Sequence, residues 1–332
     1  MSKNMKKSSH HKKDRSNKQY LLSKNGIPWK EHIDPFIIAG VYTLLFLMLA
    51  PLGDFADWLP PDVKFNNPNS LQRRAYYSMI RIDAADDTGV YMPLKSTIID
   101  GDVDYINERY WWNNLITETG RIWNVSYQFG SSILWLPFFL TGHLLVYIMN
   151  VFGAGFKPDG YSAPYLVMTA IGSAAYGCWG SIITYSIIKR FFRRAAVLLV
   201  AASAVMISNL HYYAFIRSRK EHTSEFFGVS LFFWVLFRFR TIEEKTLPDY
   251  LFLGIAAGLM CLIRLNTIVF CIAPFVFFIQ DLWREINNEG GNPGTMLGKY
   301  GAGLISFIVV LSPMFVHAWL VGGGFLYIGN VY

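Results

Sequence analysis

The sequence predicts an all-α membrane protein, and three observations lead there. More than half of its 332 residues are hydrophobic and only 16% are charged, well on the apolar side of a soluble domain. Several apolar runs approach the ~20 residues that an α-helix needs to cross a bilayer. Lys and Arg gather at the ends of those runs rather than on one face, the pattern expected of membrane topology and not of a nucleic-acid surface.

Residues 1–34 hold nine basic against three acidic side chains and few apolar ones, so they read as a disordered cytoplasmic arm. No small-residue cleavage pattern follows, which argues against a signal peptide. Phe36–Leu52 is the first span. The arm's lysines before it and Asp54, Asp57 and Asp62 after it place the N-terminus in the cytoplasm; the membrane expected is the plasma (inner) membrane. Residues 54–130 then form a long exterior loop with eleven acids against seven bases, too charged to cross.

Ser131–Asn150 is apolar and about long enough to span. The next span, Ala163–Ile188, ends in the basic KRFFRR run, which belongs in the cytoplasm only if Ser131–Asn150 does not cross. The sequence therefore predicts a peripheral or re-entrant helix over 131–150, bent near Pro137 and Gly142. Ala195–Phe215 returns outward to a polar hinge, IRSRKEHTSEF, and Glu225–Phe239 comes back to Arg238 and Arg240. Tyr250–Ile279 is too long for one crossing, and it is expected to divide into two helices meeting outside near Arg264. The polar segment Asp281–Lys299 is cytoplasmic and Gly303–Val321 is a last outward span, giving about seven spans in residues 35–332. No internal repeat is evident, and the sequence stops at Tyr332 directly after a span, as expected of an incomplete bundle.

Residues able to carry chemistry concentrate outside. Asp86 and Asp87 are adjacent carboxylates, and their repulsion favours either one raised pKa or a shared cation, as in a general base or divalent-metal site; the alternative is a solvated turn ending at Gly89, which their setting among membrane spans disfavours. Asp100, Asp102, Asp104 and Glu108 recur like a calcium loop but lack its glycine and glutamate spacing. Tyr105, Tyr110, Trp111 and Trp112 suit either an interfacial belt or a platform for a sugar ring. Arg264 interrupts an apolar run, where a guanidinium is costly and suits phosphate oxygens. Arg217, Arg219, Lys220, Glu221, His222 and Glu225 crowd the hinge, where three cations suit an anionic head group and Glu221 with His222 suits a metal. His143 and His211 read as structural, and Cys178, Cys261 and Cys271 as small packing residues, with no zinc spacing among them. A nucleotide is not expected, since no phosphate-cradling glycine loop occurs.

Taken in order, Asp86-Asp87-Thr88-Gly89-Val90-Tyr91, the DGDVDYINE run from Asp100 to Glu108 and GSSILWLPFFLTGH from Gly130 to His143 resemble the GT-C glycosyltransferases. Within that family they look like the polytopic membrane transferases that use polyprenyl-phosphate sugars, the group of the aminoarabinose and protein O-mannosyl transferases. Tyr212–Phe226 and Gly254–Asn266 are similar to later exterior turns of the same family. The resemblance implies a GT-C-like helix bundle whose first exterior loop contains peripheral helices.

It also implies inverting transfer from a polyprenyl-phosphate sugar to a lipid, glycan or protein hydroxyl on the exterior face. Asp86, with Asp87 second, carries over as the base. Arg81, Tyr91, Arg217, Arg219 and Arg264 would hold the donor, and a divalent metal ion, if used, would lie on Asp87, Glu221 and His222. Two other classes compete: a transporter or flippase of lipid-linked substrates, and a truncated scaffold without turnover. A transporter would spread ionisable residues through several spans near mid-membrane, whereas here most lie at span ends.

Overall fold

The computed structural model describes residues 34–49, 85–106, 130–193, 195, 197–198, 208–288 and 291–322. Every regular element among them is helical. Among the described residues four helices are long and apolar enough to cross a membrane: Gly130–Val151, Ala163–Ile188, Leu265–Asn287 and Pro293–Leu320. The chain is thus a multi-pass, all-α membrane protein.

Two units divide the chain at Thr43–Leu44. Within the first falls most of α1 (Asp34–Leu49), the described portion of the first predicted span. The second unit holds α2 (Ala85–Lys95, continued by a π-helical turn to Asp100), α3 (Gly130–Val151), α4 (Ala163–Ile188), α5 (His222–Thr241), α6 (Leu247–Ile263), α7 (Ile272–Asn287) and α8 (Pro293–Gly322).

Local sequence explains where several of these begin and break. Pro164 and Pro248 sit in the first turns of α4 and α6, where a missing N–H costs nothing. A capping box of Thr246 and Asp249 also opens α6. Pro313 inside α8 cannot bond the Val309 carbonyl, which instead accepts from Ser312 Oγ at 2.8 Å. At Arg264 the backbone is extended (φ −155°, ψ 112°), ending α6. A 3₁₀ turn over Leu265–Cys271 leads into α7. The division expected near Arg264 is therefore present. The polar segment Asp281–Lys299 is mostly helical, with only residues 288–292 lying between α7 and α8.

The second unit has two tiers. Antiparallel α3 and α4 make the first: Tyr176 Oη donates to the Leu134 carbonyl at 2.7 Å, Gly172 admits the Phe138 ring and Gly142 lies against Tyr165. α2 runs beside α3, where the Val90 carbonyl accepts from Ser132 Oγ at 2.5 Å. Tyr91, Trp135, Phe139 and Tyr165 are fully buried between these helices. These contacts with α3 fall between Pro164 and Tyr176 of α4.

α5 to α8 form the second tier around Phe232, Phe239, Met260 and Cys261. α6 and α8 run parallel and nearly touch: Gly254 meets the Gly303 backbone and Ser306, and Gly258 meets Phe307 and Val310. Small residues permit such an approach, and dispersion then replaces the hydrophobic effect that lipid cannot supply.

α4 and α5 also run parallel, joined by Ser173 to Thr223 and by Thr184 to Ser230. Consecutive parallel helices require the chain to return between them, the role expected of Ala195–Phe215, of which residues 196 and 199–207 lie outside the described residues. At the far end Asp281 gathers the predicted cytoplasmic charges, meeting Arg240 at 3.3 Å, Arg284 at 3.8 Å and Tyr300 Oη at 2.9 Å. Arg190 lies over the Phe237 ring there, which brings the start of KRFFRR to the end of α5.

Candidate functional site

The break at Arg264 is where the two tiers meet. Because α6 stops at Ile263, the Arg264 side chain turns toward the start of the antiparallel neighbour α5. Its Nη1 donates to Glu225 Oε2 at 2.7 Å and to His222 Nδ1 at 3.2 Å, and Nη2 stands 4.0 Å from Glu221 Oε1. The same His222 nitrogen stands 3.6 Å from Glu225 Oε2, so imidazole, carboxylate and guanidinium share one cluster. The Tyr213 ring lies 4.1 Å from the His222 ring, centroid to centroid.

α5 starts three residues earlier than the sequence predicts, at His222. His222 and Glu225 therefore share the first helical turn and project together. Tyr212–Ile216 before them is a π-helical turn, a form concentrated at functional sites. Arg219 is nearly buried and donates through Nη1 to the Leu166 carbonyl at 3.2 Å, which pins the hinge to α4. Four cations (Arg217, Arg219, Lys220, Arg264) and two carboxylates (Glu221, Glu225) leave the neighbourhood with two excess positive charges.

The start of α3 closes the other side. A Cβ on Gly130 would run into the Leu262 carbonyl and the Ile263 amide, so only glycine lets α3 begin against the residues that precede Arg264. Two residues later Ser132 holds Val90, and one helical turn before Val90 is the backbone of Asp86 and Asp87 in the first turn of α2. Ser131 Oγ and Trp135 Nε1 on α3, with Ser218 Oγ, Glu221 Oε2 and Ser224 Oγ beside the hinge, are buried with no hydrogen-bond partner among the described residues. Polar atoms in that condition are costly unless a ligand satisfies them.

Not every candidate lies here. Tyr91 is buried in the first tier, its hydroxyl donating to the Gly160 carbonyl at 2.5 Å, so it fixes α2 against the loop before α4. Arg81 lies outside the described residues. The acidic run is consumed locally: Asp100 pairs with Lys95 at 2.6 Å, Asp102 accepts from Ser96 Oγ at 2.7 Å and Asp104 accepts from the Ile106 amide at 3.0 Å. Tyr105 is buried, its hydroxyl 2.6 Å from His317 Nε2 on α8. Glu221 and His222 face the Arg264 cation, and no group of three or more metal-ligating side chains occurs among the described residues. His143 and His211 are hydrogen-bonded, to Tyr165 Oη and the Ser208 carbonyl.

The dolichyl-phosphate-mannose-protein mannosyltransferase family model matches residues 144–317, just over half of the chain. The chain belongs to this family. The matched span runs from within α3 to His317 and contains the hinge, Arg264 and the α5–α8 tier. No curated protein and no solved structure matches the chain. Membership makes it a GT-C-like membrane glycosyltransferase that draws on a lipid-linked sugar.

Glu225 and Tyr213 are partners that the sequence pattern alone undervalues. A signal for Glu225 is present, since it follows Glu221 by four residues and His222 by three.

Proposed function

We infer that this family member transfers a sugar from a polyprenyl-phosphate donor to an acceptor hydroxyl on the exterior face of the plasma membrane, with inversion. The observation that carries the reading is the Arg264 guanidinium, held by Glu225 and His222 where α3, α5 and α6 converge. The donor phosphate lies against Arg264 and the hinge cations, with its isoprenoid tail in lipid. The C1–O bond to phosphate breaks and its electron pair passes to the phosphate oxygen, where preorganised cations stabilise it. From the opposite face of the sugar the acceptor oxygen attacks C1, and the Asp86 carboxylate takes the hydroxyl proton. Entry of α2 beside Gly130 supports Asp86 for that task, with Asp87 its neighbour.

The hexose in the family's description makes mannose the first sugar to try, and a protein hydroxyl the first acceptor. A divalent ion between Asp87, Glu221 and His222 would compete with Arg264 for the same groups, so we favour charge neutralisation by the guanidinium. The basic KRFFRR run after α4 favours a peripheral α3, its exposed Leu140, Leu144 and Val151 resting in the outer leaflet, and the lysines before the first span favour a cytoplasmic N-terminus.

The test is transfer from labelled polyprenyl-phosphate sugars by protein reconstituted in lipid, with and without chelator. Asp86→Asn is expected to lower turnover by ~10²–10⁴ while insertion and donor binding persist. Full activity of that variant overturns the assignment of the base, and full sensitivity to chelator restores the metal.

A further inference from the structure

A second ligand-binding feature lies at the opposite, basic end, independent of sugar transfer. Antiparallel α5 and α6 leave a groove on the outer surface, holding about 230 Å³ and lined mainly by apolar side chains, among them Leu231 and Trp234 of α5 with Ala256 and Leu259 of α6. Two charged residues also line it: Arg238 near the end of α5 and Asp249 in the first turn of α6. The two stand beyond ion-pair distance, though each feels the other's charge, and Lys245 adds to the field at Asp249. Asp249 Oδ2 accepts from both the backbone N–H and the hydroxyl of Thr246, at 2.9 and 2.7 Å, which leaves the second carboxylate oxygen for another donor.

From Arg238 the apolar lining runs about 10 Å along α5 to Leu231, toward the middle of the bundle. Charge at the membrane surface and an apolar channel leading inward match the build of a phospholipid. A guanidinium binds phosphate oxygens by paired hydrogen bonds. A carboxylate a short distance away asks for a cationic hydrogen-bond donor, which a primary ammonium supplies and a quaternary one does not. We propose that this groove holds one acyl chain of a bilayer ethanolamine phospholipid, with its phosphate on Arg238 and its ammonium on Asp249.

The test is native mass spectrometry of the full chain, released from detergent with equal amounts of phosphatidylethanolamine, phosphatidylcholine and phosphatidylglycerol of matched chains. The wild type should retain the ethanolamine lipid about fivefold over the choline lipid, a difference of about 1 kcal/mol. Asp249→Asn should erase that preference and leave phosphatidylglycerol retention unchanged. Arg238→Gln should lower all three lipids, and so should Ala256→Trp, which fills the groove. Thr246→Ala loosens the same helix cap but keeps the carboxylate, and should preserve the preference. Equal retention by the wild type, survival of the preference in both charge variants, or its loss in Thr246→Ala would each overturn the assignment. Lipid retention indifferent to Ala256→Trp would mean that a protein segment covers the groove, and would overturn it too.

Discussion

Arg264 and Glu225 stand 39 residues apart in sequence and 2.7 Å apart in space, joining the last turn of one helix to the first turn of its antiparallel neighbour. The Arg264 side chain is about two-thirds and that of Glu225 about three-quarters shielded from solvent, so the contact is neither a surface ion pair of small worth nor a fully desolvated one. It fixes the direction of the guanidinium.

Removing the carboxylate should therefore harm placement more than charge. Glu225→Gln is expected to lower transfer about tenfold through turnover, and Arg264→Ala by ~10² or more, as when an oxyanion-stabilising donor is lost. In the double variant the effects should not add, because both act on one group. Steady-state kinetics of the two singles and the double check this, and simple additivity would separate Glu225 from Arg264.

Gly130 should tolerate no side chain. In Gly130→Val the new atoms meet backbone rather than a movable side chain, and overpacking of that kind costs about 1–3 kcal/mol. The start of α3 would be pushed from α6, and the α2 entry with it. Expected is membrane insertion at wild-type levels with transfer reduced at least tenfold; a fully active variant would show that the approach of α3 to Ile263 is dispensable.

The Tyr105–His317 contact joins the segment after α2 to the last helix. Tyr105→Phe removes one hydrogen bond from a part-buried pair and should cost about 1 kcal/mol. Hydrogen–deuterium exchange should speed up over 101–106 while the α6–α8 seam stays protected. Unchanged exchange would mean that ring packing, with centroids 6.1 Å apart, holds the segment by itself.

Along that seam, Gly254→Leu should be the most damaging single change in the second tier. Its side chain would collide with the Gly303 carbonyl and force apart a pair of helices that touch over several turns. Thermal unfolding in detergent should shift down by several degrees, consistent with about 1–3 kcal/mol. Gly298→Leu, where a Cβ meets nothing within 4 Å, is the matched control.

How far the sequence discloses this arrangement depends on the range of each signal. The division at Arg264 is legible because one charge in thirty apolar residues has few places to go, and the basic ends are legible because topology uses charge locally. Ion-pair geometry is not. Nothing in a linear reading connects Glu225 to Arg264, or Tyr105 to a histidine 212 residues later, since such contacts exist only after the helices pack. The acidic run misleads in the opposite direction: its spacing suggests a cation site, but Lys95 and Ser96 already engage Asp100 and Asp102. The helical character of Asp281–Lys299 is hidden by polarity, because a cytoplasmic helix end and a polar loop have the same composition.

The meeting of an ending helix with a beginning one has an electrical side as well. Backbone dipoles leave partial positive charge on the open amides of the first turn of α5 and partial negative charge on the last carbonyls of α6. Antiparallel packing sets these opposite poles side by side at Arg264, where the Met260 carbonyl already accepts from the Arg264 amide and from Thr267 Oγ1. The cation thus extends from the negative pole toward the positive one. An anion entering there meets attraction from side chain and backbone together on the α5 side and repulsion on the α6 side, so the handedness of its seat is written into the chain direction of two helices.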